Sequence, residues 1–171
     1  MQPEESPVTE YDLWQWHIEG AFPKDQLPEQ GYVHIGIYLA WLIEHDMVDP
    51  GWVARAGVGR VVAAIAARDE TPCALRDLTD GRLASDMLSN DGAQFTAAYY
   101  APEYGYPRDW RWILGRRADR YDVPDGWETY DRIAPLIDRR HAAWVARGRP
   151  ELMPMPSLLP NWLTFWRSKD R

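Results

Sequence analysis

The sequence predicts a mainly α, compact multi-helix domain around a buried central helix, with a short strand or two at most. Three observations carry that expectation. Of 171 residues, 46% are apolar, enough for one core in a chain of single-domain size. The run from Val33 to Met47 is apolar around its whole helical circumference. Between Tyr130 and Trp144, apolar groups recur at helical spacing behind a helix-start signal.

Residues 1–10 are polar, contain Pro3 and Pro7 and show no periodicity, so they read as a loose arm. From Tyr11 to Gly20, Trp14, Trp16 and Ile18 alternate with Gln15, His17 and Glu19, the pattern of a short strand or an extended segment. Phe22 to Gly31, with Pro23 and Pro28, is a loop. In the next helix Ile35, Ile37, Tyr38, Leu39, Trp41, Leu42 and Ile43 cover every side, and charge arrives only at Glu44 and Asp46. A helix with no polar face belongs at the centre.

Asp49 before Pro50 forms an N-cap and first-turn pair for a helix reaching about Arg68, with Val58, Val61, Val62 and Ile65 on one face. Gly57 and Gly59 each weaken it by ~1 kcal/mol relative to alanine, which predicts a break or a close helix contact. Thr71-Pro72 restarts a short helix to about Leu78, and Asp80-Gly81 is a turn. Asn90-Asp91 caps a helix through Tyr100, after which Pro102, Gly105 and Pro107 predict irregular chain.

The segment from Trp110 to Val123 fits a helical turn followed by a short strand, ended by Pro124. Asp125 with Glu128 has the form of a capping box for a helix carrying Tyr130, Ile133, Ile137, His141 and Trp144, and Pro135 inside it predicts a kink. Residues 11–149 thus read as a single helical domain. The tail 150–171 holds Pro154, Pro156 and Pro160, then Trp162, Leu163, Phe165 and Trp166. So apolar an end is expected to dock on the domain or on a second subunit, making a homodimer through residues 160–166. There is no internal repeat and no low-complexity tract.

Charge is the most informative bulk property. Residues 1–107 hold six lysines and arginines against 17 acids, while residues 108–149 hold ten against seven. An acidic first part disfavours nucleic acid and favours a basic protein partner through long-range steering. Arg116, Arg117 and Arg120, among Trp110, Trp112 and Tyr121, form the one place that resembles a nucleic-acid- or phosphate-binding surface, and the acidic remainder argues for internal pairing instead. The acidic start lacks the pattern of a secretory signal, no stretch approaches the ~18 apolar residues of a membrane span, and Cys73 has no partner for a disulfide. A cytoplasmic location with no membrane contact is the expectation.

Chemistry-bearing motifs are few. His34 and His45 share a helix face but stand ~16 Å apart, too far for one ion with ~2.1 Å bonds. No metal and no cofactor are therefore expected, and the set His17, Glu19 and His34 is kept only as the centre of an alternative reading. Cys73 follows Pro72 with no base nearby, so an inert thiol is expected. No nucleophile elbow, phosphate-binding glycine loop or dinucleotide fingerprint occurs.

Trp16-His17-Ile18-Glu19-Gly20-Ala21-Phe22-Pro23 resembles the opening signature of an uncharacterised family of small bacterial proteins. The resemblance continues through His34-Ile35-Gly36-Ile37-Tyr38-Leu39-Ala40-Trp41, Asp91-Gly92 with Phe95 and Tyr99-Tyr100, and Trp127-Glu128-Thr129-Tyr130-Asp131-Arg132-Ile133 with Pro135, Ile137 and Asp138. It implies a shared fold and no assigned activity. The candidate binding cluster is Trp16, His17, Glu19, His34, Trp127 and Asp131.

Two functions follow as expectations. The first is a non-catalytic protein-binding role, of the immunity or antitoxin kind, in which the acidic part covers a basic toxin partner. The second is a small-molecule or metal-dependent enzyme using His17, Glu19 and His34.

Overall fold

The computed structural model describes residues 7–20, 22–114 and 121–154. Strand β1 (Glu10–Leu13) runs straight into helix α1 (Trp14–Ile18). A 3₁₀ turn (Pro28–Tyr32) leads to α2 (Val33–Glu44), followed by α3 (Pro50–Val53) and α4 (Val58–Ala66). Strand β2 (Arg82–Ala84) returns beside β1, then come α5 (Asn90–Phe95), a π-turn (Thr96–Tyr100), α6 (Tyr106–Leu114) and α7 (Trp127–Ala146). The fold is mainly α, with one antiparallel two-stranded sheet among the described residues.

Helix α2 is central. Val33 and the nine consecutive positions from Ile35 to Ile43 are buried, with only His34 between them partly exposed. Trp41, fully buried, packs against Tyr38, Phe95, His45 and His141, so α2, α5 and α7 share one aromatic core. Such side chains bury roughly 150–250 Å² each, which accounts for most of the tryptophan and tyrosine load.

Several local expectations change in the fold. The stretch from Tyr11 to Gly20 is a strand only as far as Leu13, and then a helix. The Trp14 amide donates to the Gly81 carbonyl at 3.0 Å, and the Trp14 ring lies against Gly81, whose φ is +69°. A long-range contact therefore turns the chain where the local alternation continues. A β-bulge between Glu10 and Asp12 shifts the register, so that Asp12 lies opposite Leu83 and Leu13 opposite Arg82. Bulges re-aim the side chains beside them.

The helix expected from Pro50 to Arg68 is two helices, separated at Gly57, which takes a left-handed φ of +82°. Asp49 caps the first, accepting from the Trp52 amide at 2.8 Å. The helix expected after Thr71-Pro72 is a turn followed by a 3₁₀ segment, Arg76–Thr79. Ser89, not Asn90, caps α5 by accepting from the Gly92 amide at 3.2 Å. Pro107 sits in the first turn of α6 and does not break it, because its missing N–H has no helical partner there.

From Trp110 the chain is helical to Leu114, and residues 115–120, including Arg116, Arg117 and Arg120, lie outside the described residues. Asp125 and Glu128 do not form a capping box: Gly126 holds the cap position without a side-chain bond, and α7 runs through Pro135 as one helix. At the other edge, Thr9 exchanges two hydrogen bonds with Ser85, so the paired region reaches into the stretch read as an arm. Pro150 to Met153 packs on the domain, with Met153 buried and its amide bonded to the Ala98 carbonyl at 3.3 Å. The expected contact through residues 160–166 lies outside the described residues. No described helix is long and apolar enough to cross a membrane.

Two carboxylates are buried among the described residues, Asp12 and Asp109. Asp109 is neutralised by a two-pronged bond from Arg140, at 2.7 and 2.8 Å, and by the Tyr99 hydroxyl at 3.0 Å. Among the described residues, Asp12 has no arginine or lysine against it; its basic partners are His17 and His34.

Candidate functional site

A buried carboxylate without a cation must collect hydrogen bonds to stay ionised. Asp12 does so from three elements. His17 Nε2, from α1, reaches Oδ1 at 2.7 Å, and His34 Nε2, from α2, reaches Oδ2 at 3.0 Å. The Tyr100 hydroxyl, from the π-turn, donates to Oδ2 at 2.6 Å, and the Leu13 amide donates to Oδ1 at 2.8 Å. Burial by itself raises the pKa of Asp12. The bonds from His17 and His34 outweigh it and hold the carboxyl far below the usual carboxylate range. Burial first, and then the Asp12 charge, push the Tyr100 hydroxyl well above its ordinary value, so it remains a donor.

The two imidazoles stand edge to face, their centroids 4.5 Å apart. Nδ1 of His17 shares a hydrogen bond with the Tyr121 hydroxyl, 3.2 Å away. The His34 carbonyl accepts from the Tyr106 hydroxyl at 2.9 Å, which ties α6 to the same point of α2. The π-turn contributes through its longer closure, in which the Ala101 amide bonds the Thr96 carbonyl. The extra residue lets Tyr99 reach Asp109 while its neighbour Tyr100 reaches Asp12. Such widened turns concentrate at functional sites.

A cavity of about 220 Å³ opens over this trio. Its walls are aromatic, formed by Tyr11, Trp16, Tyr106 and Trp110, and the exposed Glu103–Arg111 ion pair at 3.3 Å lies on its solvent side. The side chains of Asp12, His17 and His34 are 10, 16 and 13% exposed, so the polar floor is sheltered yet reachable. One ligand-capable atom from each of the three lies within 4.8 Å of the other two. The cluster thus combines titratable groups, mutual contact and an adjoining cavity.

The structure joins His17 and His34 as candidates, and puts Trp16, half exposed, in the wall above them. Glu19 is exposed at the end of α1 and makes no contact with the pair; Asp12 stands where an acid was sought. Trp127 and Asp131 belong to a second cluster. Arg68 stacks 4.5 Å over the Trp127 ring, bonds Asp131 at 2.9 Å and lies 3.6 Å from Glu44. Trp127 also donates to the Glu70 carbonyl at 3.0 Å. Burial, and then the nearby Asp125, push the Cys73 thiol well above its ordinary value, so it is not a thiolate nucleophile.

Asp12 was the residue the sequence reading missed. Carried two residues back, the alternation of Trp14, Trp16 and Ile18 puts Asp12 on the apolar face, and a charge in such a row is the signal that was there to find. Tyr100 and Tyr121 carry no comparable mark.

A model of a family described as a domain of unknown function (DUF7832) matches residues 10–123. That span runs from β1 to beyond α6 and includes Asp12, His17, His34, Tyr100 and Tyr121; the Trp127–Asp138 block lies outside it. No curated protein and no solved structure matches the chain significantly. Since the match covers well over half of the residues and takes in every side chain of the Asp12 cluster, the chain belongs to this family.

Proposed function

We propose that the protein is a small-molecule enzyme that holds a compact organic ligand in the cavity over Asp12 and acts on it by acid–base chemistry. The observation that carries this reading is the convergence of an ionised, sheltered carboxylate and two imidazoles at the floor of an aromatic-walled cavity. Aromatic walls take the apolar body of a ligand, and a few convergent polar groups orient its reacting end. A carboxylate that fixes two imidazoles sets their tautomers, as a base or acid requires.

Ligand-observed NMR with a library of small polar aromatic and heteroaromatic fragments tests the reading. Fragments should bind the wild-type protein and lose binding when Ala101, exposed on the cavity lining, is replaced by the bulky Ala101→Trp. Binding that survives the occlusion, or no binding from such a library, would count against the proposal.

A second reading is the non-catalytic one, an immunity or antitoxin-like protein docking a basic partner. It is favoured by the acidic balance and by the Arg68 guanidinium, which lies over the Trp127 ring and between the Glu44 and Asp131 carboxylates. Elsewhere the surplus is partly neutralised, as at Asp86 by Arg55 and Arg82, at Glu29 by Arg76 and at Asp91 by Arg149. Capture of a basic protein by the tagged chain in low salt, released in high salt and lost in Glu70→Lys with Asp131→Lys, would favour this reading over the first.

A further inference from the structure

We infer that Asp12, His17 and His34 form a three-ligand site for one divalent transition-metal ion of the zinc class, its open coordination position facing the cavity. The open position rests on the pocket of the reading above, not on its acid–base roles, since an ion here would occupy the Nε2 atoms; the ion site itself rests only on the three side chains.

The donor set comes first. Two imidazole nitrogens and one carboxylate oxygen are a borderline set that suits Zn²⁺, Co²⁺ or Ni²⁺ and is poor for Mg²⁺ or Ca²⁺. Three protein ligands with a remaining position toward a cavity is the arrangement of catalytic rather than structural zinc. The geometry is close to what is needed. Bonds of ~2.0–2.1 Å around a tetrahedral ion separate neighbouring ligand atoms by ~3.3 Å, and the two Nε2 atoms stand 2.7 and 3.0 Å from their Asp12 oxygens. Those two contacts need to open by only a few tenths of an ångström, and one ligand atom from each of the three residues already lies within 4.8 Å of the other two.

The outer contacts are already in position. Ligating imidazoles hold a hydrogen-bond partner on their second nitrogen, and ligating carboxylates are themselves hydrogen-bonded. His17 has the Tyr121 hydroxyl 3.2 Å from Nδ1, and Asp12 has the Tyr100 hydroxyl and the Leu13 amide.

The proton bookkeeping closes. Without metal, each Nε2 carries the proton it gives to Asp12. Binding requires both Nε2 lone pairs, so in each neutral imidazole, His17 and His34 alike, the proton sits on Nδ1 instead; at His17 the Tyr121 hydroxyl, 3.2 Å away, then accepts it. Asp12 loses two N–H donors and gains the cation, so the buried charge stays compensated.

The other histidine pair offers a contrast. His45 and His141 lie beside Trp41, and His45 Nε2 is 3.2 Å from Asp138, but that carboxylate is half exposed, and the three do not form a group of mutually close ligand atoms.

The test is titration of chelator-stripped full-length protein with Zn²⁺ by calorimetry and with Co²⁺ by visible absorption. One ion per chain should bind, with the d–d bands of a four- or five-coordinate Co²⁺, and Zn²⁺ but not Mg²⁺ should raise the melting temperature. His34→Gln should weaken binding at least ~100-fold and Tyr100→Phe about 10-fold, whereas Glu19→Gln and the double variant His45→Gln with His141→Gln should leave it unchanged. Should His34→Gln fail to fold, X-ray absorption of the zinc-loaded wild type must show two imidazole ligands. No Co²⁺ bands, binding untouched by His34→Gln, or binding lost only in the His45/His141 variant would each overturn the inference. Metal binding without fragment binding would leave this site standing and remove the pocket reading. Fragment binding without metal would do the reverse.

Discussion

Asp12 shows how one buried charge organises its neighbourhood. It accepts from two histidines, a tyrosine and a main-chain amide, so removing its charge strands several donors at once. Unsatisfied buried donors cost about 1–3 kcal/mol each. Asp12→Asn keeps the shape but turns one acceptor into a donor aimed at a donor, and should lower stability by about 3 kcal/mol in urea denaturation. Tyr100→Phe removes a single bond to a charged group and should cost about 2 kcal/mol. If Asp12→Asn proved as stable as the wild type, the carboxylate would not hold the three elements together.

At the scale of elements, two left-handed glycines do different work. Gly57 separates α3 from α4 with φ +82°, and a Cβ there meets only the Leu78 methyl groups at ordinary contact distance. Gly81 has φ +69°, and a Cβ there overlaps the Trp14 ring. Gly57→Ala should therefore cost about 1 kcal/mol, from backbone strain alone. Gly81→Ala adds an overlap on the contact that turns β1 into α1, and should cost about 3 kcal/mol. Paired thermal melts compare them, and equal losses would mean that the Trp14 contact is unimportant to the strand-to-helix switch. That switch matters for the site, because a strand continuing through His17 would not fold its imidazole back onto Asp12.

At the scale of the whole molecule, the aromatic core around Trp41 couples α2, α5 and α7, and His141 sits in it against Phe95 and Trp144. Burial, then the neighbouring His45 and Arg149, lower its pKa below the ordinary 6.5, against a smaller opposite pull from Asp91 and Asp138. The sign follows directly. As pH falls below 6.5 the unfolded chain takes up the proton before the folded one, so stability is lost on acidification through that window. Melting temperature should drop between about pH 7 and pH 5.5, and His141→Gln should flatten the drop. An unchanged slope in that variant would assign the acid sensitivity to other groups.

The same scales separate what was legible in the chain from what was not. The burial of α2 follows from its composition, because a helix apolar on every side has no face to give to water. The Asp49 cap and the break near Gly57 follow from backbone preferences that act within a few residues. Asp125 and Glu128 met the same local rule and failed, since Gly126 and the Thr129 bond to the Pro124 carbonyl hold the start of α7 instead. His17 and His34 stood out as candidates by residue type, and Glu19 beside them was the natural acid to pair with them. Their actual partner depended on Gly81, Trp14, the bulge in β1 and the π-turn carrying Tyr100, contacts spanning up to 88 residues of sequence. Local pattern can say which stretches must be buried or broken. Which side chains meet inside is set by long-range packing, and so the Asp12 centre exists only in the folded chain.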